Sequence, residues 1–267
     1  MVTSESLLAA CCDAAREAAA FVAEQSARLR ELDWHSKSRA DFVSSVDTGA
    51  EERIRGLLLD RFPKATIIGE ELSPDETRSD GVVFAVDPLD GTTNFLHGYA
   101  QYAVSIACML DGVLEAAVVH DVPRDVQYTA RRGAGAYRGA VRLSVSSIEK
   151  PSRALIGTGF PFRDPSQLEP YLTGFTRVAR EAAGLRRAGA AALDLADVAC
   201  GHFDAFWELS LSSWDVAAGI LLIREAGGVV TDLDGKEKTV SHGSLVAGNP
   251  VMHAWLLDRL RPQTSDL

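Results

Sequence analysis

The feature that most constrains this chain is the segment 87–95, which reads Asp-Pro-Leu-Asp-Gly-Thr-Thr-Asn-Phe. It follows the apolar segment 82–86, which predicts a buried strand. The carboxylates of Asp87 and Asp90 stand at the end of that strand and repel each other unless a cation lies between them. Pro88 cannot donate a ladder hydrogen bond, so we expect it to end the strand and turn both carboxylates towards one point. The segment therefore predicts a cation site.

The residues around the two carboxylates supply groups that bind phosphate. Leu89 can offer its carbonyl oxygen to the same cation, and Gly91 and Thr92 place backbone amides and a hydroxyl beside it. A cation with oxygen ligands next to free amides can hold a phosphate against a metal. The alternative is an acidic strand-to-turn connection in which the threonine caps a helix. The Gly-Thr-Thr continuation favours the phosphate site over this alternative.

Composition excludes several classes of protein. The chain has 267 residues, of which 46% are hydrophobic, and its net charge of -10 disfavours non-specific binding to a nucleic-acid backbone. No apolar segment is long enough to span a membrane, and the first residues lack the order of a signal peptide. The four cysteines form no Cys-x-x-Cys pair. We therefore expect a cytoplasmic protein with reduced thiols, without a membrane or nucleic-acid partner.

Secondary-structure patterns divide the chain into two lobes, residues 1–145 and residues 146–267, which we expect to form one compact catalytic unit. The first lobe begins with two helices, the second opened by Asp47, and continues with strand-like segments. Asp111-Gly112 between two of those segments predicts a hairpin. Strands and helices alternate in the second lobe. The expected fold class is therefore α/β (α+β), with an antiparallel sheet in the first half and a mixed α/β layer in the second.

Acidic residues stand where helices and strands are expected to begin or end. Asp47 opens a helix, Glu70 follows a strand, and Asp215 precedes a helix of the second lobe. Taken singly, Asp47 and Asp215 are more typical of helix N-caps. Together with Asp87 and Asp90 they form an all-oxygen set without His or Cys, which selects Mg²⁺, or Mn²⁺ as a substitute, rather than zinc.

Three segments together resemble the inositol monophosphatase family. They are Gly69-Glu70-Glu71, the segment 87–95 and the segment 214–219 (Trp-Asp-Val-Ala-Ala-Gly), and their order and spacing match the family along nearly the whole chain. The resemblance implies a layered αβαβα sandwich and a homodimer that hydrolyses phosphate monoesters with Mg²⁺ and is sensitive to Li⁺. It favours myo-inositol 1-phosphate as the substrate. Histidinol phosphate, fructose 1,6-bisphosphate and 3′,5′-nucleotide bisphosphates stay open.

The resemblance also assigns metal ligands. Glu70, Asp87 and the Leu89 carbonyl would hold a first Mg²⁺. Asp87 would bridge to a second Mg²⁺, which Asp90 and Asp215 would also hold. A third and weaker metal would rest mainly on Glu70 and waters, so two to three metals are expected per subunit.

The same resemblance assigns the reaction chemistry. The Thr92 hydroxyl, hydrogen-bonded to Asp47 and with Glu70 close by, would orient or deprotonate the attacking water. The metals would acidify that water and stabilise the leaving alkoxide. The amides of Gly91 and Thr92 would bind the phosphoryl oxygens.

The substrate pocket is expected on the second lobe. By resemblance, Gly189, Ala190 and Ala191 would line the sugar-ring pocket, and Glu208 would accept hydrogen bonds from ring hydroxyls. Ala190 stands where many family members have Thr, which removes one hydroxyl contact and leaves room for an amine-bearing substrate opposite Glu208. The alternative for Glu208 is a surface charge. The remaining expected substrate contacts are Leu89, Asp90, Gly91, Thr92 and Asp215.

Three further features complete the expectations. Lys37 lies in a loop that approaches the third metal in similar proteins, although Arg39 replaces the common Pro. Arg187 belongs to an Arg-Arg pair similar to one in bacterial relatives that also bind the transcription machinery, so a regulatory protein is the alternative function. The segment 232–235 (Asp-Leu-Asp-Gly) lacks the downstream carboxylates of a calcium loop and predicts a hairpin turn.

Overall fold

Helices and sheets alternate in five layers in the computed structural model, which describes residues 2–29, 34–38, 41–162 and 164–261, with backbone only at 36–38, 41 and 42. Two helices cover one face of a large sheet, two lie between this sheet and a smaller one, and two cover the outer face of the smaller sheet. The layered αβαβα sandwich expected from the sequence is confirmed. The three helix pairs are α1 (Ser4–Ser26) with α2 (Ser45–Arg61), α5 (Ala191–Ala199) with α6 (Ser213–Glu225), and α4 (Leu168–Glu181) with α7 (Pro250–Leu260).

The outer pair packs closely on the large sheet because α1 presents small side chains to it. Leu7, Cys11, Ala15, Ala18 and Val22 recur at helical spacing and are buried. Alanine at several of these positions lets the helix backbone approach the strands at interior packing density. The Ala-rich helix expected from Ser4 onwards is therefore present, although it ends about one turn earlier than its pattern suggests.

The large sheet runs in the order β3-β4-β5-β6-β7-β8-β9 within the described residues. Only β3 and β4 pair in parallel, so the expected antiparallel sheet is confirmed for the rest. The expected hairpin at Asp111-Gly112 joins β5 to β6, and both residues have positive φ. The strand bounds are β3 Thr66–Gly69, β4 Val82–Asp90, β5 Ala103–Leu110, β6 Val113–Asp121, β7 Val126–Arg131, β8 Gly135–Arg138 and β9 Val141–Arg142.

Pro88 does not end strand β4, which corrects the sequence expectation. The strand continues to Asp90, and its pairing with β5 shifts between Asp87, opposite Ser105, and Asp90, opposite Ala103. Two residues of β4, Pro88 and Leu89, therefore lie opposite one residue of β5, Val104, which is a β-bulge. The bulge accommodates the proline, which lacks a ladder donor, while the strand resumes beyond it.

The smaller sheet runs in the order β11-β10-β12-β14-β13 within the described residues. Strand β10 pairs in parallel with β11 and β12, whereas β14 pairs antiparallel with β12 and β13. Together with the helices packed on it, this sheet forms the α/β layer expected for the second half. Strand β14 was not predicted from the sequence. The bounds are β10 Leu155–Thr158, β11 Gly184–Arg186, β12 Ala205–Leu211, β13 Val229–Thr231 and β14 Gly243–Gly248.

Shorter elements and single residues complete the description. A hairpin of β1 (Trp34–Ser38) and β2 (Asp41–Ser44) precedes α2, and α3 (Thr92–Leu96) follows β4. One core cluster contains residues of both lobes, and the boundary at 145/146 stays a prediction.

All four cysteines are free thiols. No helix of the described residues is long and apolar enough to cross a bilayer.

Candidate active site

A pocket of about 330 Å³ opens where β4 and β12 end and where α3, α5 and α6 begin. Residues distant in sequence meet here because the helices of the middle layer start at the edges of both sheets. The pocket brings together most of the residues predicted from the sequence. Those that line it are Glu70, Asp87, Leu89, Asp90, Gly91, Thr92, Arg187, Gly189, Ala191, Glu208 and Asp215.

Burial and mutual repulsion both disfavour the ionised carboxylates at this pocket. Asp87 is buried and accepts one hydrogen bond, 3.0 Å long, from the Leu89 amide. Burial raises the pKa of Asp87 well above its ordinary value, and the charges of Glu70, Asp90 and Asp215 raise it further. The protein supplies no side-chain cation among these causes. The arrangement therefore favours a bound cation.

Asp90 fixes the start of helix α5 as well as lining the pocket. Its two carboxylate oxygens accept hydrogen bonds from the amides of Ala191 (3.2 Å) and Ala192 (2.8 Å). Burial and the charge of Asp215 raise the pKa of Asp90 to about 7, against the lowering effect of those amides. The two amides at the start of α5 therefore stabilise the ionised carboxylate of Asp90, whereas the negative charge of Asp215 destabilises it.

Asp47 lies behind the pocket and contacts it through Thr92. It is the third residue of helix α2, and its Oδ2 accepts hydrogen bonds from the Ser44 amide (2.8 Å) and hydroxyl (2.7 Å), which completes a capping box. Its Oδ1 lies 2.9 Å from the Thr92 Oγ1, which also lies 3.0 Å from the Leu89 carbonyl oxygen. The expected contact between Asp47 and Thr92 is present. Burial raises the pKa of Asp47.

Asp215 occupies the matching position at the start of helix α6. Its Oδ2 accepts a hydrogen bond of 2.7 Å from the Ser212 amide. The helix N-cap alternative for Asp47 and Asp215 is therefore correct in kind, although each is the third helical residue rather than the cap itself. Unlike Asp47, Asp215 lines the pocket directly.

Gly91 is required by two features of the turn after β4. Its φ of 89° lies in the left-handed region, and a Cβ there would lie 2.9 Å from the Gln101 carbonyl oxygen. The same Cβ would lie 3.3 Å from the Cβ of Ala190. Ala190 is buried behind this turn, and its expected role at the substrate stays a prediction.

The far side of the pocket depends on glycines that leave room for polar side chains. A Cβ at Gly159 would lie 1.9 Å from Oε1 of Glu208, so only glycine permits that carboxylate to sit there. Gly189 has a φ of 88°. The side-chain amide of Asn94, on α3, links the loop of Gly189 to the segment that follows α3 by donating to the carbonyl oxygens of Ala188 (2.9 Å) and Gln101 (2.7 Å).

Sequence reasoning missed a buried carboxylate that binds the loop directly after Glu70. Glu51 of helix α2 is fully buried, and its carboxylate accepts hydrogen bonds from the amides of Glu71 (2.7 Å) and Leu72 (3.3 Å). A Cβ at Gly69 would lie 2.0 Å from Oε1 of Glu51, so this glycine makes the contact possible. A charged residue on the inward face of α2, in step with Ile54 and Leu58, was the available signal.

An aromatic wall at the mouth of the pocket was also missed. Phe160 and Phe162 line it together with Leu209 and Leu211, and the Arg187 guanidinium lies 5.0 Å from the centre of the Phe162 ring. Two phenylalanines around Pro161 were the available signal in the sequence. The side chain of Lys37 lies outside the described residues, so its expected role is not addressed.

The donor set fits a hard divalent cation. Carboxylates and the Leu89 carbonyl meet at one pocket, and the pKa of Asp87 is raised by three neighbouring negative charges. No three His, Cys, Asp or Glu side chains of the described residues are already arranged as a ready-made metal site. Asp87, Asp90 and Asp215 each accept a hydrogen bond from a backbone amide. Carboxylates that repel one another are stabilised when a cation binds between them.

Comparison with known proteins settles the family. A sequence profile of the inositol monophosphatase family matches residues 3–265. The chain belongs to the inositol monophosphatase family. Members of this family are generally metal-dependent phosphatases. The resemblance carried by Gly69-Glu70-Glu71 and the segments 87–95 and 214–219 is therefore confirmed.

Individual family members carry two kinds of name. The chain is 46% identical over 253 residues to "Nus factor SuhB" of Pseudomonas aeruginosa, which covers 93% of both chains. It is 44% identical over 228 residues to "Inositol-1-monophosphatase" of Rhizobium meliloti, covering 85% of this chain and 86% of the other. The crystal structure of extragenic suppressor protein suhB from Bartonella henselae matches with a TM-score of 0.90 at 38% identity, covering 96% and 98%.

Proposed function

We propose that this protein hydrolyses a small polyol phosphate monoester with Mg²⁺, and that myo-inositol 1-phosphate is its substrate. The observation that carries the proposal is the meeting of Glu70, Asp87, Asp90 and Asp215 at one pocket whose wall includes Thr92. Family membership supports the phosphatase class. The alternatives within the class are histidinol phosphate, fructose 1,6-bisphosphate and a 3′,5′-nucleotide bisphosphate.

Two groups of ligands would hold the metals. Glu70, Asp87 and the Leu89 carbonyl form the first group, and Asp87, Asp90 and Asp215 form the second. The repulsion that raises the pKa of Asp87 supports this assignment, because bound cations would relieve it. When bound, Mg²⁺ supplies Lewis-acid stabilisation of phosphoryl and leaving oxygens and acidifies water. Glu51 would position Glu70 through the amides of the following loop.

Thr92 and Asp47 would handle the proton of the attacking water. The threonine hydroxyl has one hydrogen, which it can give to Asp47 at 2.9 Å or to the Leu89 carbonyl at 3.0 Å. While it donates to Asp47, its oxygen can accept a hydrogen bond from water at the pocket. Burial of Asp47 raises its pKa and makes it a better proton acceptor. The Ser44 cap holds its other oxygen in place.

The substrate would lie between the phosphate site and the aromatic wall. The amides of Gly91 and Thr92 would bind phosphoryl oxygens, and Glu208 would accept hydrogen bonds from hydroxyls of the leaving group. Gly189 and Ala191 line the pocket on that side and leave space for a ring. Arg187, stacked over Phe162, adds a cation to this wall, which would suit the second phosphate of the bisphosphate alternatives.

A second candidate function is binding to the transcription machinery. It is favoured by the name "Nus factor SuhB" carried by a relative that is 46% identical. Arg186 lies on the exposed end of β11 next to Arg187, where a protein or RNA partner has access. A homodimer remains part of the same proposal.

The phosphatase proposal is tested by phosphate release from the four candidate substrates. Each is assayed with Mg²⁺, with EDTA and with added Li⁺. We expect Mg²⁺-dependent, Li⁺-sensitive turnover concentrated on myo-inositol 1-phosphate. Turnover concentrated on another phosphate would replace the substrate, and turnover undiminished by EDTA would refute the metal assignment.

One variant separates the two candidate functions. Asp90→Asn removes a proposed metal ligand and should abolish phosphate release while leaving capture of RNA polymerase unchanged. Asp60→Asn, an exposed carboxylate on α2 outside the pocket, is the matched control and should change neither. If the native chain captured no protein of the transcription machinery, the second function would be excluded.

A further inference from the structure

A second pocket, of about 300 Å³, lies in the connection between β13 and β14 and is formed by residues of the segment 232–244. It adjoins the candidate active site through one strand pair. Gly243 lines the second pocket and is the register partner of Leu211, which lines the first. The start of this connection is the hairpin turn predicted from the segment 232–235, in which the Gly235 amide donates to the Asp232 carbonyl oxygen. The rest of the segment borders an open depression.

Lys238 is the unusual residue of the second pocket. It is only 4% exposed, and its Nζ has no hydrogen-bond or ion-pair partner within the described part of the chain. The Nζ lies 3.5 Å from the position that a Cβ would occupy on Gly243, so it reaches the wall of the pocket. A buried ammonium without a partner is costly and is retained in proteins mainly where it meets an anion. Burial lowers the pKa of Lys238, while the Asp232 carboxylate opposes that shift.

The acidic residues around the second pocket already have partners. Asp232 Oδ1 accepts hydrogen bonds from the amides of Asp234 and Lys236, each 2.9 Å long. Asp234 pairs with the Lys236 ammonium at 3.5 Å, and Glu237 pairs with Arg224 at 3.1 Å. No hydrogen bond or ion pair of the Lys238 ammonium is found among the described residues, and the opposite charge that acts on it is the Asp232 carboxylate.

Two hydrogen bonds fix the backbone of Lys238. Arg224 donates a hydrogen bond of 2.6 Å to the Lys238 carbonyl oxygen, and the Lys238 amide donates to Val230 at 3.3 Å. The wall also carries neutral donors. These are the hydroxyls of Thr239 and Ser241, which lie 3.2 Å apart, the hydroxyl of Ser244 and the imidazole of His242.

We propose that the second pocket binds a small oxyanion, a phosphate or a carboxylate, on the ammonium of Lys238 and the surrounding hydroxyls. One fixed cation with several neutral donors suits a single anionic group. The volume of about 300 Å³ lies at the lower end of the range for ligand sites and fits a small molecule. This inference does not depend on the proposed phosphatase activity.

Binding of inorganic phosphate to the metal-free protein tests the proposal. The protein is kept in EDTA so that phosphate cannot bind through metals at the first pocket, and amide shifts are followed by NMR during titration. We expect saturable shifts in the segment 232–244. Shifts confined to the segment 87–92, or no saturable shifts with either phosphate or acetate, would overturn the proposal. Acetate distinguishes a carboxylate site from a phosphate site, because the preferred anion binds at lower concentration.

Two lysine variants isolate the ammonium. Lys238→Met keeps the length of the side chain and removes its charge, and it should weaken binding roughly tenfold to a hundredfold, as expected for one charge-assisted hydrogen bond. Lys236→Met, on the exposed side of the same loop, should bind as the native protein does. Equal binding by Lys238→Met and the native chain would refute the proposal. If Lys238→Met fails to fold, Ser244→Ala is measured instead. The proposal would be refuted if Ser244→Ala bound phosphate with native affinity and the amide shifts lay outside the segment 232–244.

Discussion

The helices α2 and α6 begin with the same local motif but present it to different surroundings. Each has a serine followed three residues later by an aspartate whose Oδ2 accepts the serine amide, at 2.8 Å from Ser44 and 2.7 Å from Ser212. Asp47 is then covered: it also accepts the Ser44 hydroxyl and contacts Thr92. Asp215 instead lines the pocket, where its charge raises the pKa values of Asp87 and Asp90.

This difference shows that one aspartate can both belong to a helix-capping motif and be a candidate catalytic residue. The local backbone requirement is identical at both helix starts, because an acidic third residue satisfies an unpaired amide. The second role depends on what the rest of the fold brings to the other side of the carboxylate. For Asp47 that is a hydroxyl, and for Asp215 it is two further carboxylates.

The largest expected effect separates the two aspartates by activity. Asp215→Asn should lower kcat/KM by about a thousandfold or more, since the loss of several kcal/mol of transition-state stabilisation removes about three powers of ten. We expect Mg²⁺ to raise the melting temperature of the native protein, and the variant should lose this rise. Ser44→Ala, which disturbs only the cap of the other helix, should keep that rise. If Mg²⁺ raised the melting temperature of Asp215→Asn as it does that of Ser44→Ala, the proposed distinction between Asp215 and Asp47 would be refuted.

The next effect concerns the hydroxyl that connects Asp47 to the pocket. Thr92→Val preserves shape and removes the hydroxyl, so kcat should fall by about a hundredfold or more, as for loss of a proton-transfer group. Thr92→Ser retains the hydroxyl and should recover most of the activity. Adding Asp47→Asn to Thr92→Val should cost little more, because the two residues act as one unit. Additive losses would show that Asp47 acts independently.

Removal of metal should make the stability of the protein depend on pH. The pKa of Asp90 rises from its ordinary 3.8 to about 7 in the folded state, so the folded state binds this proton more tightly than the unfolded state. The corresponding stability is complete below about pH 4 and is lost as the pH rises through about 7. In EDTA, urea unfolding should therefore show a fall on the order of 2 kcal/mol between pH 4 and pH 8.

The same experiment has two internal controls. The raised pKa of Asp47 contributes in the same direction, so Asp90→Asn should reduce the slope without abolishing it. Saturating Mg²⁺ should restore stability at pH 8 because it binds the ionised carboxylates. A stability that is independent of pH in EDTA would contradict the repulsion inferred for the pocket.

The smallest effect compares the caps themselves. Ser44→Ala removes a buried hydroxyl that accepts the Val46 amide and donates to Asp47, and it should cost about 1 kcal/mol of unfolding free energy. Ser212→Ala, at a partly exposed cap, should cost less. Urea denaturation of both variants measures the difference. Equal costs would mean that burial of the first cap adds nothing to its strength.

Local patterns predicted much of the fold because they arise from interactions within a few residues. The Asp111-Gly112 hairpin and the helix starts near Asp47 and Asp215 follow from backbone requirements that any context shares. Strand β14 escaped because its segment 243–248 has no alternation and depends on pairing with β12 and β13. The continuation of β4 past Pro88 likewise depends on its partner strand β5.

The residues of the candidate site likewise include some that the sequence predicted and others that it did not. The acidic residues were identified because their types and spacing are unusual, as were Gly91 and Thr92. Glu51, the aromatic wall and the second pocket were missed because each depends on contacts between distant segments. Glu51 reaches a loop twenty residues away, and Leu211 meets Gly243 only across two paired strands.

The sequence by itself determined the chemistry of this protein: an oxygen-rich set of carboxylates, a Gly-Thr-Thr turn and the family to which the chain belongs. The tertiary structure alone decided which carboxylates share a pocket and which one is covered, that Ala190 lies behind Gly91, and that Lys238 is buried without a close partner in the described chain. The physical reason is the distance along the chain over which each interaction acts. Residue type and backbone preference act over a few residues, whereas burial, charge repulsion and pocket shape depend on segments that only the complete fold brings together.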